Sequence, residues 1–212
     1  MTRLVSALYD EPGPFMGINT VDDYFVTGDP DALSVNDILL LHGGEDISPS
    51  LYNHAKHPLT GAPADYPGRR DRIEWALLQR AIQLNIPIVG ICRGAQMLCA
   101  AAGGYLIQHV ENHGGYHEVI CADGDVVETN SCHHQMQYPF DVDHELLMWI
   151  EHKRSSVHYV GSGRSITNAL QCEPETVYYP KIKGFAPQWH PEWLADKSAA
   201  NIKLLQMINE RL

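Results

Sequence analysis

Cys92 stands in the middle of Gly90-Ile91-Cys92-Arg93-Gly94, a Gly-x-nucleophile-x-Gly pentapeptide. Ile86, Ile88, Val89 and Ile91 before it form a short β-branched run of strand length. Ala95, Met97, Leu98, Ala100, Ala101 and Ala102 after it read as a helix. A sharp strand-to-helix turn crowds its neighbours, and flanking glycines relieve the clash. The residue at the tip then projects away from the sheet, at a helix N-terminus whose dipole favours a thiolate. A small buried hydrophobe is the other reading of any cysteine, so the nucleophile needs a base. Trp189-His190-Pro191-Glu192 supplies one. In an extended segment residues two apart point the same way, which lets Glu192 orient the His190 imidazole and fix its tautomer. Cys92, His190 and Glu192 are the makings of an activated nucleophile.

These groups need elements to hold them. Leu4 to Leu8 reads as a first strand, Gly13 to Gly28 as loop, and Asp37 to Leu41 as a buried strand ending at His42-Gly43-Gly44. Open α/β sheets place ligands at such strand ends, and paired glycines let a backbone N–H approach an oxyanion closely. His54 to Arg72 reads as a polar surface loop whose His54, Lys56, His57, Arg69, Arg70 and Arg72 form a solvated basic face or a carboxylate-binding rim. Asp71 and Glu74 open a helix running through Ile82, as partners of its dipole. His117 to Ala122 reads as a strand of an antiparallel excursion, turning at Asp123-Gly124-Asp125 into Val126-Val127. Val177 to Tyr179 and Gly184 to Trp189 are late strands that deliver His190, and Ala195 to Leu212 is a helix packing through Ile202, Leu205 and Ile208. His109, His113 and His117 are spaced by four, as helical metal ligands can be, but Gly114-Gly115 breaks such a helix and no acid or cysteine completes the set. No metal and no cofactor are expected.

Several separated motifs, in order from Asp37 to the C-terminus, resemble class I glutamine amidotransferases, and most closely their γ-glutamyl hydrolase and γ-glutamyl-γ-aminobutyrate hydrolase branch. They are Gly43-Gly44-Glu45-Asp46-Ile47-Ser48-Pro49 with Tyr52, Arg70-Asp71 with Glu74, Pro87 to Gln96, Gly103-Gly104, Asn130-Ser131-Cys132-His133-His134-Gln135, and Gln188 to Glu192. The resemblance implies a flavodoxin-like three-layer α/β sandwich, with a mostly parallel central sheet, flanking helices and a small antiparallel excursion. It implies an oxyanion hole from the N–H groups of Gly44 and Arg93. It also implies substrate contacts from Gln96, Gln108, Ser131, His133, His134 and Gln135. The activity implied is hydrolysis of a γ-glutamyl amide through a glutamyl thioester on Cys92, releasing glutamate and an amine. The alternative is a glutaminase subunit that feeds ammonia to a separate synthetase partner. Three places depart from the pattern: His42 stands where relatives carry proline, the segment before the first glycine motif is short enough for an element to be reduced or missing, and Leu146 to Arg164 ends in a basic, aromatic loop in place of a small-residue strand and Asp-Gly turn.

Over 212 residues a single domain, 1–212, is expected, with room for a sizeable core. A formal charge of −11 disfavours nonspecific binding to nucleic acid or anionic membranes. No apolar run reaches the roughly 20 residues that span a bilayer, and the first residues meet acid at Asp10 and proline at Pro12, too soon for a signal peptide. Five scattered cysteines fit a reducing, cytoplasmic setting. The expected partner is a small γ-glutamyl molecule, with a homodimer left open.

Overall fold

The computed structural model describes residues 1–62, 66–161, 164–166, 170 and 172–212. Its strands are β1 (Thr2–Ala7), β2 (Val21–Thr27), β3 (Asp37–Leu41), β4 (Ile88–Gly90), β5 (Tyr105–Ile107), β6 (His109–Val110), β7 (Gly114–Cys121), β8 (Val126–Cys132), β9 (Met136–Tyr138), β10 (Glu145–Ile150), β11 (His158–Val160), β12 (Arg164–Ile166), β13 (Glu173–Tyr179) and β14 (Gly184–Pro187). Its α-helices are α1 (Arg69–Leu84), α2 (Arg93–Ala101) and α3 (Ala199–Asn209).

Nine strands form one sheet in the order β2-β1-β3-β4-β14-β13-β10-β7-β8. The first five run parallel, and the rest extend the same sheet as antiparallel neighbours. Alternation along the strands sends their side chains to two cores. Val5, Leu39, Leu41 and Ile88 pack with Leu77 and Leu78 of α1 and Met97 and Leu98 of α2. Leu4, Ile38, Leu40 and Val89 pack on the other face with Leu204 and Ile208 of α3. The result is the three-layer sandwich that the motifs implied. Because β1, β3, β4 and β14 are parallel, their C-terminal ends bring Tyr9, His42, Cys92 and His190 to one edge, where open α/β sheets bind ligands.

Local readings shift in two places, β2 and the face of α3. Within the stretch read as loop, Val21–Thr27 is β2, an edge strand whose Asp22 and Asp23 stay exposed. Ahead of it the chain makes only a 3-10 turn, Gly13–Gly17, the reduced element that the short segment allowed for. The buried face of α3 is Ala200, Leu204, Met207 and Ile208, so Ile202 points to solvent. His109 lies on β6, His113 just before β7 and His117 on β7, in keeping with the break that Gly114-Gly115 imposes on a helix. Residues 63–65 of the polar loop lie outside the described residues, as do residues 162 and 163 and the Arg164 side chain of the basic loop. Among the described residues no helix is long and apolar enough to cross a membrane.

Candidate active site

Cys92 occupies the turn between β4 and α2 with φ 48° and ψ −98°, a backbone conformation rare for a side-chain-bearing residue. Its neighbours over-determine it. Ile91 N donates to Leu41 O at 2.9 Å, and Cys92 N donates to Pro187 O at 2.8 Å. A β-carbon on Gly90 would stand 2.5 Å from the Gly94 carbonyl, and one on Gly94 2.5 Å from Leu41 O. Both glycines are therefore required by the turn, as their spacing indicated.

The expected thiolate does not follow. Cys92 is only 4% exposed, and burial pushes its thiol up to about 12, with the Glu192 carboxylate pushing the same way and the Arg93 amide opposing. Desolvation outweighs the helix N-terminus here, so the resting side chain is a neutral thiol that needs a base.

His190 follows β14 and is held on three sides. Its Nδ1 lies 2.7 Å from Glu192 Oε1, so the Nδ1–H donates to the carboxylate and Nε2 keeps its lone pair. Glu192 reaches it from a 3-10 turn, Pro191–Trp193, not by strand alternation. The Trp193 ring stacks on the imidazole at 3.8 Å and 4°. Asn130 on β8 grips the His190 backbone from both ends, accepting from N and donating to O at 2.8 Å each. A β-carbon added to Gly43 would stand 2.5 Å from His190 Cε1 and 3.5 Å from Cys92 Cβ. Gly43 is thus the floor of the gap between the two side chains.

The glycine loop is clamped from outside. Arg70 Nη2 donates to the carbonyls of His42 at 3.2 Å and Gly43 at 2.8 Å, and its guanidinium lies 4.7 Å over Tyr9. Gly44, at φ +145°, leaves no room for a side chain beside Arg70 Nη1. Asp71 and Glu74 are more than dipole partners: both bind the buried Arg93 guanidinium, Asp71 at 2.5 Å, and Glu74 also accepts from Arg70 Nε at 2.9 Å. Behind the loop His42 is 2.7 Å from Ser6 Oγ, and burial holds its imidazole down at about 4.

The resulting cleft, about 390 Å³, is lined by Tyr9, Glu11, the 42–45 loop, Arg70, Cys92, Cys132 and the 190–193 turn. The residues expected to touch substrate lie elsewhere. On β8, alternation turns Cys132 towards the cleft and buries its neighbours. Ser131 Oγ donates to His113 O at 2.9 Å, and His133 Nδ1 meets Gln135 O at 2.8 Å. Gln135 Nε2 donates to Thr60 Oγ1 at 2.5 Å, and Gln96 Nε2 to Gln135 O at 3.2 Å. His134 is 2.7 Å from Asp46, which also accepts from Gly61 N at 2.6 Å. Gln108 is spent on the 54–62 loop, accepting from His57 N at 2.7 Å and donating to Ala55 O at 2.9 Å. The sequence reading missed Asn130, Trp193 and Cys132 as parts of the site. Asn130 was signalled only by opening the Asn-Ser-Cys-His-His-Gln segment, and Trp193 only by following the Glu192 motif.

This fold, with a cysteine elbow and a carboxylate-backed histidine at one sheet edge, is that of class I glutamine amidotransferase-like proteins. A model of the family described as Peptidase C26 matches residues 30–158, and the chain belongs to that family. A Schizosaccharomyces pombe protein named as a glutamine amidotransferase is 29% identical over 199 residues, covering 82% of this chain and 69% of that protein. A Mycobacterium tuberculosis protein of the same description is 44% identical over 81 residues, 37% of this chain, and the match spans only 25% of that relative's length. Among solved structures, a glutamine amidotransferase from Thermotoga maritima shares the fold at a TM-score of 0.56, with 14% identity over 99% of this chain and 95% of that one.

Proposed function

We propose that the chain hydrolyses a γ-glutamyl amide through a glutamyl thioester on Cys92. The observation that carries this reading is that Gly43 borders both residues of the pair: a thiol on a strained turn, and an imidazole whose Nδ1–H is fixed by Glu192. As Cys92 Sγ attacks the side-chain carbonyl carbon, its proton passes to His190 Nε2. Transfer accompanies attack because the buried thiol is neutral at rest. The N–H groups of Gly44 and Arg93 are our candidates to stabilise the oxyanion, each worth about 3 kcal/mol. His190 then gives the proton to the departing nitrogen, the C–N bond breaks, and an amine leaves. Water, deprotonated by His190, attacks the thioester carbonyl; the C–S bond breaks, glutamate is released and the thiol is restored.

The test is turnover of glutamine and of a panel of γ-glutamyl amines by the purified chain, with intact-mass detection of an acyl adduct on Cys92. Cys92→Ala should keep the fold by circular dichroism and lose turnover by at least about 10⁴-fold. Turnover near wild type would remove Cys92 from the mechanism. Hydrolysis of glutamine seen only when a second protein is added would favour a glutaminase subunit over a free-standing hydrolase.

A further inference from the structure

Where the ends of the β7-β8 hairpin meet β13, three buried groups with metal-binding chemistry converge. His113 precedes β7, His133 follows β8 and Glu175 lies on β13. They are 5%, 8% and 0% exposed, and one donor atom of each lies within 4.8 Å of the others. Both imidazoles are oriented alike. His113 Nδ1 meets Glu111 O at 2.7 Å and His133 Nδ1 meets Gln135 O at 2.8 Å. A carbonyl only accepts, so each Nδ1 carries a proton and each Nε2 is the atom left to bind. Histidines that ligate metals are held this way, with the far N–H on a carbonyl or carboxylate.

What His133 Nε2 and the Glu175 carboxylate share is a lack of hydrogen-bond partners. His133 Nε2 is buried without a hydrogen bond, and so are both oxygens of Glu175. His117 Nε2 comes within 3.3 Å of one of those oxygens, but without hydrogen-bond geometry. His113 Nε2 is paired with Glu173 Oε2 at 3.2 Å, a pair that an ion would have to open. An unpaired carboxylate beside an unpaired imidazole nitrogen, both out of reach of solvent, is a costly arrangement that a cation resolves.

We propose that His113 Nε2, His133 Nε2 and the Glu175 carboxylate form a site for a divalent transition-metal ion of the zinc type. Two imidazoles and one carboxylate suit zinc better than calcium or magnesium, and leave a fourth position for water. Ligands about 2 Å from a tetrahedral zinc stand about 3.4 Å apart, so the three side chains close in on binding. The proton that His113 shares with Glu173 leaves to solvent as the ion takes its place. The site ties the hairpin that carries Asn130 to the middle of the sheet. It was invisible to a spacing argument because the acid comes from β13, far along the chain from either histidine.

The full-length chain, stripped with a chelator, is titrated with cobalt(II) and then with zinc(II). One cobalt per chain, with the visible absorption of a tetrahedral site and displacement by one zinc, is the expected result. His133→Ala and Glu175→Gln should each weaken zinc binding at least about 100-fold, while His144→Ala, beside Phe140 and outside the set, should bind as wild type. Should either variant fail to fold, nitrogen-15 shifts of the histidine side chains in the wild-type chain decide the matter. The Nε2 resonances of His113 and His133 should move with zinc. No stoichiometric metal, metal retained by both variants, or unmoved histidine resonances would each overturn the site. None of these readouts depends on the chemistry at Cys92.

Discussion

Two thiols meet in one cleft under opposite conditions. Cys92 is buried and its thiol is pushed up to about 12, whereas Cys132 is exposed. Near neutral pH, iodoacetamide should therefore modify Cys132 at least about tenfold faster than Cys92, because the thiolate is the reacting form. Peptide mapping against time reads this, and faster labelling of Cys92 would mean that the helix dipole prevails after all. Gly43→Ala tests the gap itself: the new methyl group must displace the His190 ring. Turnover should fall about 100-fold with the fold intact, measured as kcat alongside circular dichroism. At this scale the meeting of Cys92, His190 and Glu192 in one cleft could be expected from the chain because each sits in a short contiguous motif. Which neighbour on β8 faces the cleft could not. Alternation fixes that Ser131 and His133 point together and Cys132 oppositely, but not which way the strand is turned.

Strands and helices around the site are bound together by charges that the sequence reading assigned only to the surface or to a helix dipole. Arg93 begins α2, yet its guanidinium is buried against Asp71 and Glu74 of α1. Arg93→Met leaves two carboxylates in a site 1% exposed or less at the arginine and should cost about 3–5 kcal/mol. Urea unfolding monitored by tryptophan fluorescence measures it, and a loss under about 1 kcal/mol would contradict the pairing. Asp37–Leu41 was readable as a continuous apolar run because it is buried on both faces, and α1 because one face alone is apolar. The edge strand β2 was not, since a strand with one neighbour and Asp22-Asp23 exposed carries no such pattern. For α3, Ile202 and Ala200 compete for the buried face. Packing against β8 and the Gly13–Gly17 turn, not hydrophobicity, chooses Ala200.

Across the whole molecule, acid should weaken the fold in part through His42. Its folded value, about 4, lies below the 6.5 of an unperturbed histidine. As pH falls through that window the unfolded chain takes up a proton that the folded chain refuses, so stability is lost, by up to about 3 kcal/mol. His42→Gln lacks this term. Its stability relative to wild type should rise from pH 7 to pH 4 by that order, as read from denaturant midpoints at each pH. A constant difference would show that His42 titrates normally. The placement of His42 was readable from the glycine motif, but its burial against Ser6 was not, because that needs β1 beside β3. The cleft gathers groups from Tyr9 near one end of the chain to Trp193 near the other. No half of the polypeptide holds enough of it to work. Under the proposed chemistry, turnover doubles as a clock for maturation: in a refolding time course, its first appearance marks the moment when the segments that line the cleft have come together.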